Sequence, residues 1–268
     1  MSPADGSCDA STSPALPAGA ASPSVVPPRL PPDASSSPAT SGARRVLVVG
    51  GSPQRPSSQL LSGLAREVDL VVACDAGADA CLQAGVRVDV LVGDNDSLSP
   101  RALRHARSCG ALEVGFPMDK DRVDLRLALD WARDRCPQMG HLTLTGVSGG
   151  RLDHELAVYG TLARMAKLSP RVVEDAFEAR ILSPKGASTW EFASDDLERT
   201  LSVFALLAPA CVSERGTRWE LDHAELMPLD DLGVSNVIER HPSSVTAHDG
   251  VALAILQRTR IPKRVTTL

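Results

Sequence analysis

The stretch Gly93-Asp94-Asn95-Asp96-Ser97 follows the apolar run Val88 to Val92. Side chains two residues apart in an extended segment point the same way, so Asp94 and Asp96 can converge on one object beyond the end of a strand. That object is a cation, or it brings a cation with it.

Three further apolar runs end in the same manner. Leu70 to Cys74 is followed by Asp75-Ala76-Gly77, Leu112 to Phe116 by Pro117-Met118-Asp119-Lys120-Asp121, and Leu142 to Thr145 by the run Gly146 to His154, which reads GVSGGRLDH. Taken singly, each has a structural explanation: Asp75 or Asp121 as a helix N-cap, Gly149-Gly150 as a turn, Asp121 and Asp124 as acids suiting the first turn of a helix. Together they resist it. Asp94, Asp96, Asp121, Asp124 and Asp153 on one edge would repel one another unless cations compensate, and Lys120, Arg151 and a bound metal are the available cations. Oxygen ligands without clustered Cys or His favour Mg²⁺ over zinc, and the expectation is that Asp94, Asp96 and Asp121 surround it, directly or through water. Mg²⁺ keeps few protein ligands and usually shares phosphate oxygens, so a polyphosphate belongs in the site. The Gly149-Gly150 turn can offer backbone N–H groups to it and Arg151 a charged fork. His154 either holds the helix start or touches phosphate. Phosphoryl-type transfer on a nucleotide is the reaction class. Neither a G-x-x-x-x-G-K-[ST] loop nor a G-x-G-x-x-G stretch is present.

The elements that must position these groups follow from periodicity. Strands are expected at Val46 to Val49, Leu70 to Cys74, Val88 to Val92, Leu112 to Phe116 and Leu142 to Thr145. Helices are expected at Ala78 to Gln83, Pro100 to Cys109, Arg122 to Arg135 and Leu152 to Lys167, with Gly85, Gly110, Pro137 and Pro170 near their ends. This rhythm predicts an α/β fold, a mostly parallel sheet with flanking helices, over residues 44–172. Ligands of such sheets sit at the carboxyl ends of the strands. From 173 to 268 the pattern shortens to β-rich pieces, and a smaller antiparallel β domain is expected there, including a hairpin around His248-Asp249-Gly250.

Composition bounds the rest. Nine of the twenty prolines precede Gly42, and residues 1–43 are dominated by Pro, Ser and Ala, so they read as a disordered tail. No basic start followed by an apolar run marks a secretory signal, and no apolar run approaches a membrane span. A formal charge of −5 without a basic stripe argues against a nucleic-acid partner. The six cysteines form no C-x-x-C pair and read as buried thiols in a reducing, cytoplasmic setting.

With these residues in view, the chain resembles thiamine pyrophosphokinases. That family's pattern is D-G-G-A-N, G-D-F-D-S, K-D-x-T-D and G-G-R-x-D-H in order. Here the segments stand as Asp75-Ala76-Gly77-Ala78-Asp79, Gly93 to Ser97, Lys120-Asp121-Arg122-Val123-Asp124 and Gly149 to His154. Ala76, Asp79, Asn95 and Val123 depart from it. The resemblance implies transfer of a pyrophosphoryl group from ATP to thiamine, giving thiamine diphosphate and AMP. It implies catalytic roles for Asp94, Asp96, Lys120, Asp121, Asp124, Arg151 and Asp153. ATP contacts are implied at Asp75, Gly77, Ser97, Gly149, Gly150, Arg151 and His154. A W-x-L segment and a later S-N pair, here Trp219 to Leu221 and Ser235-Asn236, imply a thiamine pocket on the β domain. Trp219 would stack on the substrate ring and Ser235 make a polar contact, in a homodimer whose β domains meet.

Three other owners of the D-x-D pattern stay open on the residues alone. One is a pyrophosphokinase acting on a hydroxymethylpterin. Another is a phosphatase with Asp94 as nucleophile. The last is a nucleotide or thiamine-phosphate binding protein without turnover.

Overall fold

The computed structural model describes residues 44–93, 97–115 and 124–260. The tail at 1–43 and the expected site residues Asp94, Asp96, Lys120 and Asp121 lie outside the described residues.

In chain order the elements are β1 (Arg44–Val49), α1 (Ser58–Arg66), β2 (Leu70–Cys74), α2 (Gly77–Ala84), β3 (Val90–Gly93), α3 (Pro100–Ser108), β4 (Leu112–Gly115), α4 (Asp124–Arg135), β5 (Met139–Thr145) and α5 (Leu152–Arg164). Then come β6 (Arg171–Val173), β7 (Phe177–Leu182), β8 (Thr189–Glu191), β9 (Arg199–Ala205), β10 (Ala210–Arg215), β11 (Leu221–Leu226), β12 (Asn236–Val237), β13 (Ser244–Asp249) and β14 (Ala252–Arg260).

Local chemistry explains the helix boundaries. α2 stops at Gly85, whose φ of 63° is the left-handed conformation that glycine adopts without a Cβ clash. α3 opens with Ser99, whose hydroxyl accepts from the Ala102 N–H at 3.1 Å, and Pro100 takes the first helical position. α1 was not among the expected helices. It begins at the Ser57 cap, which accepts from the Leu60 N–H at 3.2 Å.

A ten-stranded sheet runs in the order β12-β9-β14-β7-β6-β5-β1-β2-β3-β4, and a four-stranded sheet in the order β11-β10-β13-β8. The block from β6 to β4 is parallel, while β7, β14, β9 and β12 extend it antiparallel. The chain moves outward from β1 through β2, β3 and β4, then returns to place β5 on the other side of β1. Order therefore reverses between β1 and β5, the crevice where open α/β sheets hold ligands.

The expected α/β class with a smaller antiparallel sheet is what the fold contains. The hairpin at Asp249-Gly250 is not. β13 pairs with β10 and β8, whereas β14 pairs with β7 and β9, so the turn carries the chain from one sheet to the other. Gly250, with φ 74°, supplies the reversal, but the partners are chosen by burial of Val245 and Ala247 on one side and Ala252 and Ala254 on the other.

Alternation along the strands assigns the faces. Leu47, Val49, Val71, Ala73 and Leu91 form one core with Leu61, Ala78, Cys81 and Ala102 of α1, α2 and α3. α4 lies across β1, β2 and β3. Farther along the large sheet, Leu182, Val203 and Ala254 pack on Trp190, Val212 and Val245 of the small sheet. Apolar area removed from water at about 25 cal/mol per Å² is what holds these layers together. Among the described residues no helix is long and apolar enough to cross a membrane. The five described cysteines are free thiols; Cys74, Cys81 and Cys136 are buried, and Cys109 and Cys211 are partly so.

One glycine fixes how closely α2 approaches β1. A Cβ on Gly77 would lie 2.2 Å from the Val49 carbonyl oxygen and 2.9 Å from that of Gly50. Both obstacles are backbone, which cannot rotate away. Gly77→Ala is expected to destabilise the fold by about 3 kcal/mol, read as a lower urea midpoint at unchanged slope. An unchanged midpoint would mean that the helix start is free to shift.

Candidate active site

The carboxyl ends of β1, β2, β3 and β5 carry the polar loops. Asp75 directly follows β2 with φ 43°, and its N–H bonds the Val92 carbonyl at 3.0 Å. Asp75 is not the N-cap of α2, a position that Ala76 occupies. Instead its carboxylate lies against the backbone of Gly93, where a Cβ would come within 1.6 Å of Oδ1. Gly93 itself has φ 147° and directly precedes Asp94. The bare glycine thus lets the acid after β2 press against the carboxyl end of the neighbouring β3.

Asp124 opens α4, which packs along β2 and β3. Burial pushes the Cys74 thiol well above its ordinary value, and the negative charges of Asp75 and Asp124 push it further. Both acids are therefore close enough to β2 to be felt there. Cys74 is buried, so the groups offered to a ligand at this edge are carboxylate oxygens, which suit a hard ion such as Mg²⁺. Among the described residues no three acid, His or Cys side chains form a metal cluster. Asp94, Asp96 and Asp121 lie outside them. Ser97 is exposed, three residues before the start of α3.

At the switch point the loops after β1 and β5 interlock. A Cβ on Gly50 would lie 2.5 Å from the Gly146 carbonyl oxygen, and one on Gly149, φ 80°, would lie 2.1 Å from Gln54 Oε1. The Ser52 hydroxyl donates to the Ser148 carbonyl. Gly150 faces Pro53 at 3.1 Å from its own notional Cβ. Arg151 is the N-cap of α5 without a side-chain cap bond, and it forks onto Asp153 at 3.2 and 2.6 Å. That fork holds the Asp153 carboxyl down to about 2. Arg151, Asp153 and His154 are all exposed, so the α5 start presents charge to solvent.

Two acids that sequence reasoning passed over hold this crevice. Glu174, directly after β6, is buried, and its carboxylate accepts from the Gly146 and Val147 N–H groups at 3.0 and 2.9 Å and from the Thr145 hydroxyl at 3.3 Å. Burial raises its carboxyl above the ordinary range despite those donors. Asp175 takes the Ser57 N–H and hydroxyl, both at 2.6 Å, and so anchors the loop after β1. The one available signal was an acid pair closing the apolar run Val172-Val173.

A second group sits on the β-rich half. Trp219 is 59% exposed, with the Arg218 guanidinium 5.5 Å from its ring centroid. Ser235 is exposed with φ 60°, and Asn236 is buried. The Asn236 side chain accepts from the Trp219 N–H at 3.1 Å and donates to the Trp219 carbonyl at 2.7 Å. It thereby pins the tryptophan backbone on both sides while the indole stays in solvent.

A cavity of about 420 Å³ lies elsewhere, at the amino ends of β1 and β5. Its arginines are engaged: Arg45 with Asp69, Arg171 with Glu67, Arg180 with Glu178. It is an ion-paired seam, remote from the polar strand ends.

This geometry has relatives. Residues 61–173 match the family model of the thiamin pyrophosphokinase catalytic domain. The thiamine pyrophosphokinase of Bacillus subtilis is 31% identical over 216 residues, covering 79% of this chain and 98% of that one. The chain belongs to the thiamine pyrophosphokinase family. Thiamine pyrophosphokinase 1 of Oryza sativa is 24% identical over 176 residues, 63% of this chain and 66% of its own. Among solved structures, thiamine pyrophosphokinase from Bacillus subtilis superposes with a TM-score of 0.67 at 23% identity, over 80% of this chain and 99% of that one. A thiamin pyrophosphokinase family protein from Enterococcus faecalis gives 0.66 at 24%, over 81% and 100%.

Within the thiamine pyrophosphokinase family pattern, one departure has a structural account. Asp79 stands where the family places Asn. It is 9% exposed and its Oδ2 accepts from the Ser99 N–H at 3.1 Å, fixing the residue that caps α3. Ala76, at the N-cap of α2, contributes no side-chain cap there. Asn95 and Val123 lie outside the described residues.

Proposed function

We propose that this protein transfers a pyrophosphoryl group from ATP to the hydroxyethyl oxygen of thiamine, giving thiamine diphosphate and AMP. The observation that carries the reading is membership of the thiamine pyrophosphokinase family, supported by Asp75, Gly93 and the Gly149-Gly150 turn at the ends of β2, β3 and β5 around the β1–β5 switch point.

In this reading Asp94, Asp96 and Asp121 hold Mg²⁺, and the carboxylate edge around Asp75 and Asp124 supports that choice. Mg²⁺, when bound, offsets the charge of the polyphosphate oxygens. Asp75, Gly77, Ser97, Gly149, Gly150 and His154 line the ATP path. Lys120 and Arg151 stabilise charge building on the phosphates, so Arg151 exchanges its exposed Asp153 partner for phosphate oxygens. Asp124 or Asp153 orients the attacking hydroxyl.

Thiamine is held by Trp219 and Ser235, with Asn236 aligning the tryptophan. A homodimer completes the site. β12 and β2 are separated by seven strand-to-strand steps in the large sheet, a distance on the order of 30 Å, so the Trp219 group of one chain is far from that chain's own acidic edge. The exposed apolar side chains Leu207, Trp219, Met227, Leu229 and Leu232 of the β-rich half are consistent with an interface. In functional terms, residues 44–172 carry the nucleotide site and residues 173–268 the thiamine pocket. The free thiols suit a cytoplasmic setting.

The test is acceptor choice. Purified protein with ATP and Mg²⁺ is expected to consume nucleotide when thiamine is added and not when a hydroxymethylpterin replaces it. The converse result would move the protein to the pterin reading.

A further inference from the structure

Glu214, in β10, is an acid without a role in the site as described. It is fully buried. Its Oε2 accepts from Asn236 Nδ2 at 2.7 Å, and its Oε1 has no hydrogen-bond partner among the described residues. In register it stands beside Leu221 of β11 and Val245 of β13, and a Cβ on Gly233 would lie 3.2 Å from Oε1. Val203 of β9 is next to that glycine. The arginines of β10, of the segment after it and of the segment after β12 are paired elsewhere: Arg215 with Asp222, Arg218 with Glu239, Arg240 with Glu220.

An ionised carboxylate in such surroundings lacks both water and a cation, which is costly. Burial accordingly pushes the Glu214 carboxyl up to about 7, against the pull of the Asn236 bond. The residue is therefore poised between its two forms near neutral pH.

Its position gives that poise a use. Asn236 makes four hydrogen bonds: from the Trp219 and Val237 N–H groups, to the Trp219 carbonyl and to Glu214. A single amide thus separates the buried acid from the segment that presents the exposed indole. A guanidinium already lies over that indole, as expected for a ring face that attracts cations.

We propose that Glu214 is the counter-charge for a cationic aromatic ring stacked on Trp219, so that binding of the thiazolium of thiamine is coupled to loss of the Glu214 proton. This rests on the thiamine reading above. A quaternary ring nitrogen has no N–H to donate, so it is recognised by an aromatic face and by negative charge in a medium of low polarity. The balance is simple: the neutral carboxyl becomes a carboxylate, and its proton passes to solvent. Glu214 acts through Asn236 and the field it creates, which makes it a positioning and specificity residue.

The experiment is calorimetric titration of the full chain with thiamine alone at pH 6, 7 and 8, in two buffers of different ionisation enthalpy. Wild-type protein is expected to bind about fivefold more tightly at pH 8 than at pH 6 and to release a fraction of a proton near pH 7. An uncharged thiazole alcohol should bind without proton release. Glu214→Gln keeps an oxygen for the Asn236 bond but carries no charge. It is expected to release no proton and to show pH-independent affinity, with thermal melting confirming that it is folded. Wild-type affinity that is flat from pH 6 to 8, or proton release that persists in E214Q, would overturn the proposal. If thiamine supports AMP formation without linked proton release, only this inference fails. If thiamine neither binds nor is turned over, the substrate reading fails and this inference falls with it.

Discussion

Asp96→Asn is expected to lower turnover about a thousandfold or more while leaving the protein folded. The substitution keeps the shape of the side chain and removes one negative charge. Mg²⁺ in polyphosphate sites relies on one or two carboxylates, so losing one withdraws a large share of the protein's hold on the ion. Among the described residues, the two acids of this edge hold positions of their own. The Asp75 carboxylate is already pressed against Gly93, and Asp124 belongs to α4. The check is initial rate against Mg²⁺ concentration, with a melting curve for each protein. A rate near zero that recovers partly at high Mg²⁺ is the expected result. Wild-type rates at ordinary Mg²⁺ would remove Asp96 from the metal site.

Glu174→Ala should lower stability strongly although the residue is assigned no contact with substrate. Three donors, the Gly146 and Val147 N–H groups and the Thr145 hydroxyl, lose their acceptor in a buried place. At about 1 kcal/mol for each abandoned donor the loss is about 3 kcal/mol, or a melting point lower by roughly 6 to 12 °C in a domain of this size. Function should suffer too, because the released residues lead directly into Gly149, Gly150 and Arg151. The Michaelis constant for ATP is expected to rise in the residual folded enzyme. Glu174→Gln retains one carbonyl acceptor and should recover part of both losses. A melting point unchanged in the alanine variant would show that the loop after β5 holds itself in place.

Both predictions depend on features that differ in how far the sequence announces them. The order of the first five strands was legible because each is a short apolar run closed by polar residues, and the helix ends were legible where glycine or serine does a local job, as at Gly85 and Ser99. Strand limits were less so. The run at Val88 enters the ladder only at Val90, since Asp89 ahead of it turns its carboxylate to the Val71 N–H at 2.9 Å. Partner choice was not legible at Asp249-Gly250, because turn chemistry fixes a reversal of direction and not the strand across the ladder. α1 was missed because its start depends on Ser57, whose anchoring acid, Asp175, is 118 residues away.

The candidate site divides in the same way. Asp75, Asp124 and Gly149 to Asp153 stand in local motifs that spacing picks out, whereas Trp219 came into view only through the family resemblance. Neither route finds Glu174 or Glu214. Each is a lone acid in a β-rich stretch, and its importance arises only when distant backbone or Asn236 is folded onto it. Asn236 was visible as part of a Ser-Asn pair, yet its use of both side-chain ends on Trp219 and Glu214 became apparent only in the fold.

Which phosphorus is attacked decides the reaction, and the nucleotide left behind reports it. Purified protein should be incubated with ATP and Mg²⁺, with and without thiamine, and the nucleotides separated. AMP formed in step with thiamine diphosphate, and only when thiamine is present, is the expected result. ADP, free phosphate or no thiamine-dependent change would contradict it.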